Sequence, residues 1–253
     1  MPASVTPLLP KKDTLSAQVT RYLLDHIAAE ALKPGDPAPS EARISRDLNI
    51  SRGIVREAYR TLATLGILQV EAGKQPRVQG LSSAVLTQLL GFALRIAHVS
   101  APQVLQLRRA VEIEAVRLAA QNGTQAQFER LKECVAQMRQ AGTDHERIIA
   151  ADVALHTTLA EATGNPLFAL MLGGLRGPLE DSMGQGLQSR RTREEVLHVP
   201  DLHKAIVQRV CARDGDGAAK AMAHHFDLSV AAILTAGMAA VASERSGQKI
   251  RRR

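Results

Sequence analysis

Aromatic side chains are nearly missing from this sequence: 253 residues hold no Trp, two Tyr and four Phe. Ala, Leu, Val and Ile must therefore fill any core, and an Ala-rich aliphatic core favours helices. Cysteine is as scarce. Cys134 and Cys211 cannot build a disulfide framework, which argues against a stapled secreted scaffold and for a reducing compartment. No run reaches the ~18 uninterrupted apolar residues of a spanning helix, and Met1 to Lys12 lack the apolar centre of a signal peptide. These absences lead to the expectation of a cytoplasmic protein with no membrane partner.

What is present is globular in character, at 45% hydrophobic and 23% charged residues. The length suits one or two domains and can bury a full core without disulfides or a structural metal. Net charge is +7 and the pI is near 9.8, an excess that points to polyanionic partners.

The chain divides near residue 80. Residues 1–13, punctuated by proline, read as a flexible arm. A helix is predicted from Thr14, with Leu15, Val19, Leu23, Ile27 and Ala31 at helical spacing, and Lys33-Pro34-Gly35 stops it. Pro37 and Pro39 keep the next stretch extended, and Ser40 caps a short helix over 41–48. Ser51 caps a third helix over 52–65 that Gly66 ends. Residues 67–70 and 77–79 read as two strands around the turn Glu71 to Pro76. Three helices and a small hairpin make a winged helix-turn-helix over 14–80. Beyond it, residues 81–240 show long aliphatic helical patterns and almost no strand signal. Breaks fall at 100–102, 122–123, 142, 164–166, 184–186, 200 and 214–217, leaving an all-α bundle of about seven helices. Six glycines between Gly164 and Gly186 argue against a continuous helix there. Residues 241–253 read as a loose basic tail. The expected fold class is mainly α.

The third helix carries the first functional pattern. Arg52 and Arg56 share one face, while Val55, Ala58 and Leu62 form an apolar back. Residues 43–60 hold five Arg against Asp47 and Glu57. Arginine suits both phosphate clamping and bidentate readout of guanine. Lys74 and Arg77 stand at the hairpin tip, within reach of phosphates or a minor groove. Charge alone does not separate this reading from a solvated helix face.

The motif spacing does. Lys33-Pro34-Gly35, Pro39-Ser40-Glu41, Asn49-Ile50-Ser51-Arg52, Val55-Arg56-Glu57-Ala58, Leu65-Gly66-Ile67-Leu68 and Gly73-Lys74 resemble the helix-turn-helix of the GntR family, over about residues 14–80. The resemblance implies double-stranded DNA as partner, with Ser51, Arg52, Gly53, Arg56, Gly73 and Lys74 as contacting positions. Two departures stand out. Ala42 replaces a usual basic residue, which moves that contact to Arg43 or Arg46, and Gly53 replaces a polar residue or proline, which weakens readout there.

In the second region Asp152 and His156 are four apart, so a helix sets a carboxylate and an imidazole on one face, a geometry suited to a divalent metal ion. By itself such a pair is more often a surface pair or a satisfied core histidine. His203 and His225 stand on later helices, each also open to a packing role. The order Asp152-x-x-x-His156, Gly164-Asn165-Pro166, His203, His225, with Leu107-Arg108-Arg109 to Glu112 and Leu118-Ala119-Ala120 upstream, resembles the FCD ligand-binding domain of the FadR subfamily. That resemblance implies a divalent ion on Asp152, His156, His203 and His225, with His224 diverging from His225 by about 100° of helix. It also implies a small organic or sugar acid as effector, its carboxylate filling open coordination positions. Arg108 either clamps that acid or pairs with Glu112 at i+4, and Asn165 either touches it or caps a helix before Pro166.

The sequence therefore reads as a homodimeric, nucleoid-associated regulator, a repressor on a pseudo-palindromic operator. A metal-dependent hydrolase or lyase with a basic docking module is the rival. It lacks a partner base, since no Glu stands beside a ligand in an H-E-x-x-H arrangement. A third reading keeps the regulator and makes the ion structural.

Overall fold

The computed structural model describes residues 13–80, 82–176 and 198–228. Most of the predicted arm (residues 1–12), the predicted break at 184–186 and the predicted basic tail lie outside the described residues. The chain divides into two compact units at Val85/Leu86.

In the first unit, Thr14 Oγ1 accepts the Ala17 N–H at 3.2 Å and so satisfies one of the donors orphaned at a helix start. Helix α1 follows, Leu15–Ala29. Val19 and Leu23 are buried, but Leu15, at the head of the same stripe, is 48% exposed, and Ala31 lies past the helix end at φ 50°. Ser40 Oγ accepts the Arg43 N–H and opens α2, Glu41–Asp47, which ends one residue earlier than the sequence suggests. Ser51 occupies the N-cap position of α3, Arg52–Thr64, yet its side chain makes no capping hydrogen bond. Gly66, at φ 67°, turns the chain into β1, Leu68–Gln69, which pairs antiparallel with β2, Arg77–Val78, in the register Leu68 to Val78. Both strands are shorter than predicted. The extended stretch before α2 runs along the other side of β2, with Gly35 N–H to Val78 O at 2.8 Å and Ala38 N–H to Pro76 O at 2.8 Å. That stretch is fastened from beneath by Tyr59, fully buried, whose hydroxyl donates to Pro39 O at 2.6 Å. Val55, Ala58 and Leu62 face the same core.

The described residues of the second unit are helical throughout: α4 Ala84–Arg95, α5 Ala101–Asn122, α6 Gln125–Ala141, α7 His145–Ala162, α8 Pro166–Arg176, α9 Val199–Cys211, and α10 over residues 215–228. Reciprocal bonds between Thr124 and Gln127 start α6 as a capping box, and Gly142 ends it at φ 60°. Helix α7 packs against α5, α6 and α8. Glycine and proline also stand inside helices. Gly173 and Gly174 lie inside α8, and a Cβ at Gly174 would sit 2.5 Å from Leu86 Cβ, so the close approach of α4 makes this glycine necessary. Pro200 stands in the first turn of α9, where a missing N–H costs nothing. Gly217 stands in the first turn of α10 and donates to the capping Asp214 Oδ1 at 2.8 Å.

One turn residue closes a distant helix. Arg213, at φ 57°, donates to the carbonyls of Ala120, Gln121 and Gly123 at the end of α5, and its guanidinium lies over Phe128 at 5.2 Å. No helix among the described residues is long and apolar enough to cross a membrane.

Candidate nucleic-acid interface and metal centre

In the first unit the apolar back of α3 is consumed by the core, which leaves its other face to solvent. Ser51, Arg52, Gly53 and Arg56 are exposed there, as are Arg43 and Arg46 on α2. Arg56 Nε lies 3.3 Å from Glu41 across the two helices, and Arg43 pairs with Asp47 at 3.4 Å. Arg46 and Arg52 carry no ion pair among the described residues. A Cβ at Gly53 would meet nothing within 4 Å, so the fold itself does not require glycine there. Gly73 is different: φ 73° at the hairpin tip demands it. Lys74 is exposed beside it, paired with Glu71 at 2.6 Å, and Arg77 donates to Gly35 O at 2.6 Å.

The second unit buries its chemistry. Asp152 and His156 on α7, His203 on α9 and His225 on α10 are 6%, 3%, 0% and 8% exposed. Their helices bring together residues 73 positions apart in sequence. One ligand nitrogen from each imidazole lies within 4.8 Å of the other two. The rings of His203 and His225 are centred 4.5 Å apart. Asp152 Oδ1 stands 2.9 Å from His203 Nε2 and 3.5 Å from His156 Nε2. His224, the neighbour that competes with His225 on sequence grounds, is exposed.

Hydrogen bonds fix which nitrogens face this centre. Nδ1 of His203 bonds the Val199 carbonyl at 2.9 Å, so that nitrogen carries a proton and Nε2 is the one turned to the centre. That Nε2 is fully buried and makes no hydrogen bond, although the carboxylate oxygen is at contact distance. A second ring proton or a cation held by both atoms satisfies such a pair. Carboxylate oxygen and imidazole nitrogen form a donor set that zinc and other divalent first-row ions accept.

A fifth residue, not singled out as a site residue by the sequence, joins the cluster. Glu112 on α5 is 2% exposed, its Oε2 contacts His156 Nδ1, and its Oε1 accepts Arg108 Nε at 2.8 Å. Of the two sequence readings for Arg108, the i+4 pair is the one formed here, buried at 4% exposure, with the guanidinium 5.6 Å over Phe226. Asn165 is exposed and its Oδ1 accepts the Leu167 N–H at 3.0 Å, the helix-cap arrangement. Glu112 lies 44 residues from His156, so no local spacing signals the contact.

Burial opposes charge on every one of these groups, and the neighbours decide the outcome. Burial raises Glu112, but Arg108 and then His156 overcome it and hold the carboxyl down at about 2. Asp152 is treated alike: against burial, His156 and then His203 hold it well below the carboxylate range. Burial lowers His156, yet Glu112 and Asp152 outweigh it and raise the imidazole to about 9. For His225 the pull of Asp152 and Glu112 is outweighed. Burial, then His203 and His156, push it well below the histidine range.

Comparison with known proteins meets this geometry from the other side. Residues 15–78 match the family described as "Bacterial regulatory proteins, gntR family", and residues 103–228 match the FCD domain. The chain is 32% identical over 232 residues to the HTH-type transcriptional repressor NanR of Cronobacter sakazakii, covering 87% of this chain and 85% of that protein. It is 29% identical over 198 residues to the HTH-type transcriptional regulator LutR of Bacillus subtilis, covering 77% and 90%. A fatty acid metabolism regulator protein of Yersinia enterocolitica matches at 28% over 62% of this chain and 65% of its own length. A solved Streptococcus agalactiae GntR structure shares the fold at a TM-score of 0.59 and 23% identity, over 84% of this chain and 97% of that one. The chain belongs to the GntR family of bacterial transcriptional regulators, with a DNA-binding helix-turn-helix and an FCD domain, and is not an enzyme.

Proposed function

We propose that the protein is a homodimeric repressor whose FCD domain holds a divalent ion on Asp152, His156, His203 and His225 and senses a small organic or sugar acid. The observation that carries the metal reading is the three buried imidazoles whose ligand nitrogens lie within 4.8 Å of one another, with Asp152 Oδ1 2.9 Å from one of them. Four donors leave coordination positions open on a five- or six-coordinate ion, and a carboxylate is the natural occupant. Arg108 is the cation for which such an acid competes with Glu112. Asn165 is left out, because its side chain is spent on the start of α8.

On the DNA side, residues 14–80 read the operator and residues 81–240 do the sensing. Arg43, Arg46, Ser51, Arg52, Gly53, Arg56, Gly73 and Lys74 form the contact set. The open first turn of α3 at Gly53 lets its backbone approach a phosphate closely. Two such units on a dimer fit a pseudo-palindromic operator. The acid changes DNA affinity only through its differential affinity for two dimer arrangements. That the Cronobacter relative is a repressor supports the sign of the regulation.

The test is thermal melting of the purified chain against a panel of small carboxylic and sugar acids, with and without chelator. An acid that stabilises only in the presence of metal supports the reading, with a shift near 2.7 kcal/mol at a hundred-fold excess over Kd. A chain that melts identically with and without chelator, and with every acid, refutes it.

A further inference from the structure

We propose that Glu112 is the positioning residue of this centre: from α5 it accepts the Nδ1–H of His156 and so turns the Nε2 lone pair of that imidazole toward the ion. The inference rests on the metal reading above and adds to it a side chain that supplies no ligand atom.

Both carboxylate oxygens of Glu112 are already engaged. Oε1 accepts Arg108 Nε at 2.8 Å and Nη2 at 2.6 Å, and Oε2 faces His156 Nδ1. A direct bond to the ion would break one of these, whereas Asp152 already has an oxygen facing two Nε2 atoms. His203 shows the same arrangement made by backbone, with its Nδ1 on the Val199 carbonyl. Two imidazoles from different helices therefore present the same nitrogen to Asp152 Oδ1 and anchor the opposite one. The anchors differ in charge. A carboxylate behind an imidazole makes it a stronger donor than a carbonyl does, and outer partners of this kind fix ring orientation and tautomer. Arg108 keeps the Glu112 charge matched in a site only 2% exposed, and its guanidinium over Phe226 ties the support to α10, the helix of His225.

A plain i+4 ion pair between Arg108 and Glu112 would serve stability alone, and zinc binding separates the two roles. Full-length chain is stripped with chelator and titrated with zinc alone against a chromophoric competitor, for the unaltered protein, Glu112→Gln and Glu112→Leu. One zinc per chain is expected in all three. Affinity should fall by about 10- to 100-fold in Glu112→Leu. Glu112→Gln should lie between, because its amide oxygen still accepts from Nδ1. In ¹⁵N-histidine spectra of zinc-loaded protein, His156 should carry its proton on Nδ1 in the unaltered chain. Zinc affinity within twofold of the unaltered chain in both variants, or an Nε2-protonated His156 in the loaded protein, overturns the role of Glu112 and leaves the metal centre standing. An unaltered chain that takes no zinc overturns both. If Glu112→Leu does not fold, the Gln variant and the tautomer measurement decide.

Discussion

Arg56 with Glu41 and Arg108 with Glu112 are the same pair of side chains in opposite surroundings. The first joins α2 to α3 at 3.3 Å with both groups in water, 57% and 27% exposed. The second closes to 2.6 Å with both groups sealed, at 5% and 3%. In water a pair gains little and is readily exchanged, which suits the DNA contact proposed for Arg56. Away from water the pair cannot be dissolved without stranding a charge, which suits a support that must not move. The arginine of the DNA-reading surface is held loosely and the arginine of the buried cluster tightly. The difference is one of desolvation, not of residue type.

The sharpest way to break the comparison is Arg108→Leu. It strands Glu112 in the core, and loss of one partner of a buried pair should cost about 3–5 kcal/mol, read from urea unfolding of the chelated protein. A loss under 1 kcal/mol would mean the cluster is wetter than its burial indicates.

Acidity gives the next effect. His156 is raised to about 9 from an ordinary 6.5. A raised pKa contributes stability that is complete below the unfolded value and is lost as pH climbs through the folded one. The chelated chain should therefore lose stability between about pH 6.5 and 9. Zinc binding should run the other way and tighten over the same interval, since the ion displaces that proton. Parallel rather than crossing pH profiles would dissociate His156 from the ion.

Smallest in stability is Arg56→Ala, expected within about 0.5 kcal/mol of the parent. Its effect on operator affinity should be far larger, roughly five-fold to more than a hundred-fold if it makes a base contact. Fluorescence anisotropy on operator DNA, with zinc content measured in parallel, checks both halves. Unchanged affinity removes Arg56 from the contact set.

The parts legible in sequence were those fixed by neighbours along the chain. Thr14 and Ser40 announce helix starts because a hydroxyl three residues from an N–H satisfies it locally. Asp152 and His156 share a face because a helix returns every four residues. Ser51 has the right type and place for a cap, yet its side chain forms no capping bond, which composition could not foretell. Glycine gives a related lesson: propensity sets Gly174 against a helix, but the nearness of Leu86 makes glycine there a packing requirement inside α8. Glu112 was visible only as an i+4 partner of Arg108. Its reach to His156 depends on how α5 and α7 pack, which local spacing does not carry. Tyr59 was legible in principle, four residues after Val55 on the inward face, but its bond to Pro39 O spans 20 residues.

Surface turns are where natural chains most readily accept extra residues. The turn over 212–214 is an exception written into Arg213. That single side chain stops the end of α5 while its backbone launches α10, so the helix bearing Glu112 and the helix bearing His225 share one fastening. An insertion there would slide one helix along the other and carry His225 out of register with Glu112. Length variation among relatives should therefore collect in other turns of the bundle and spare this one.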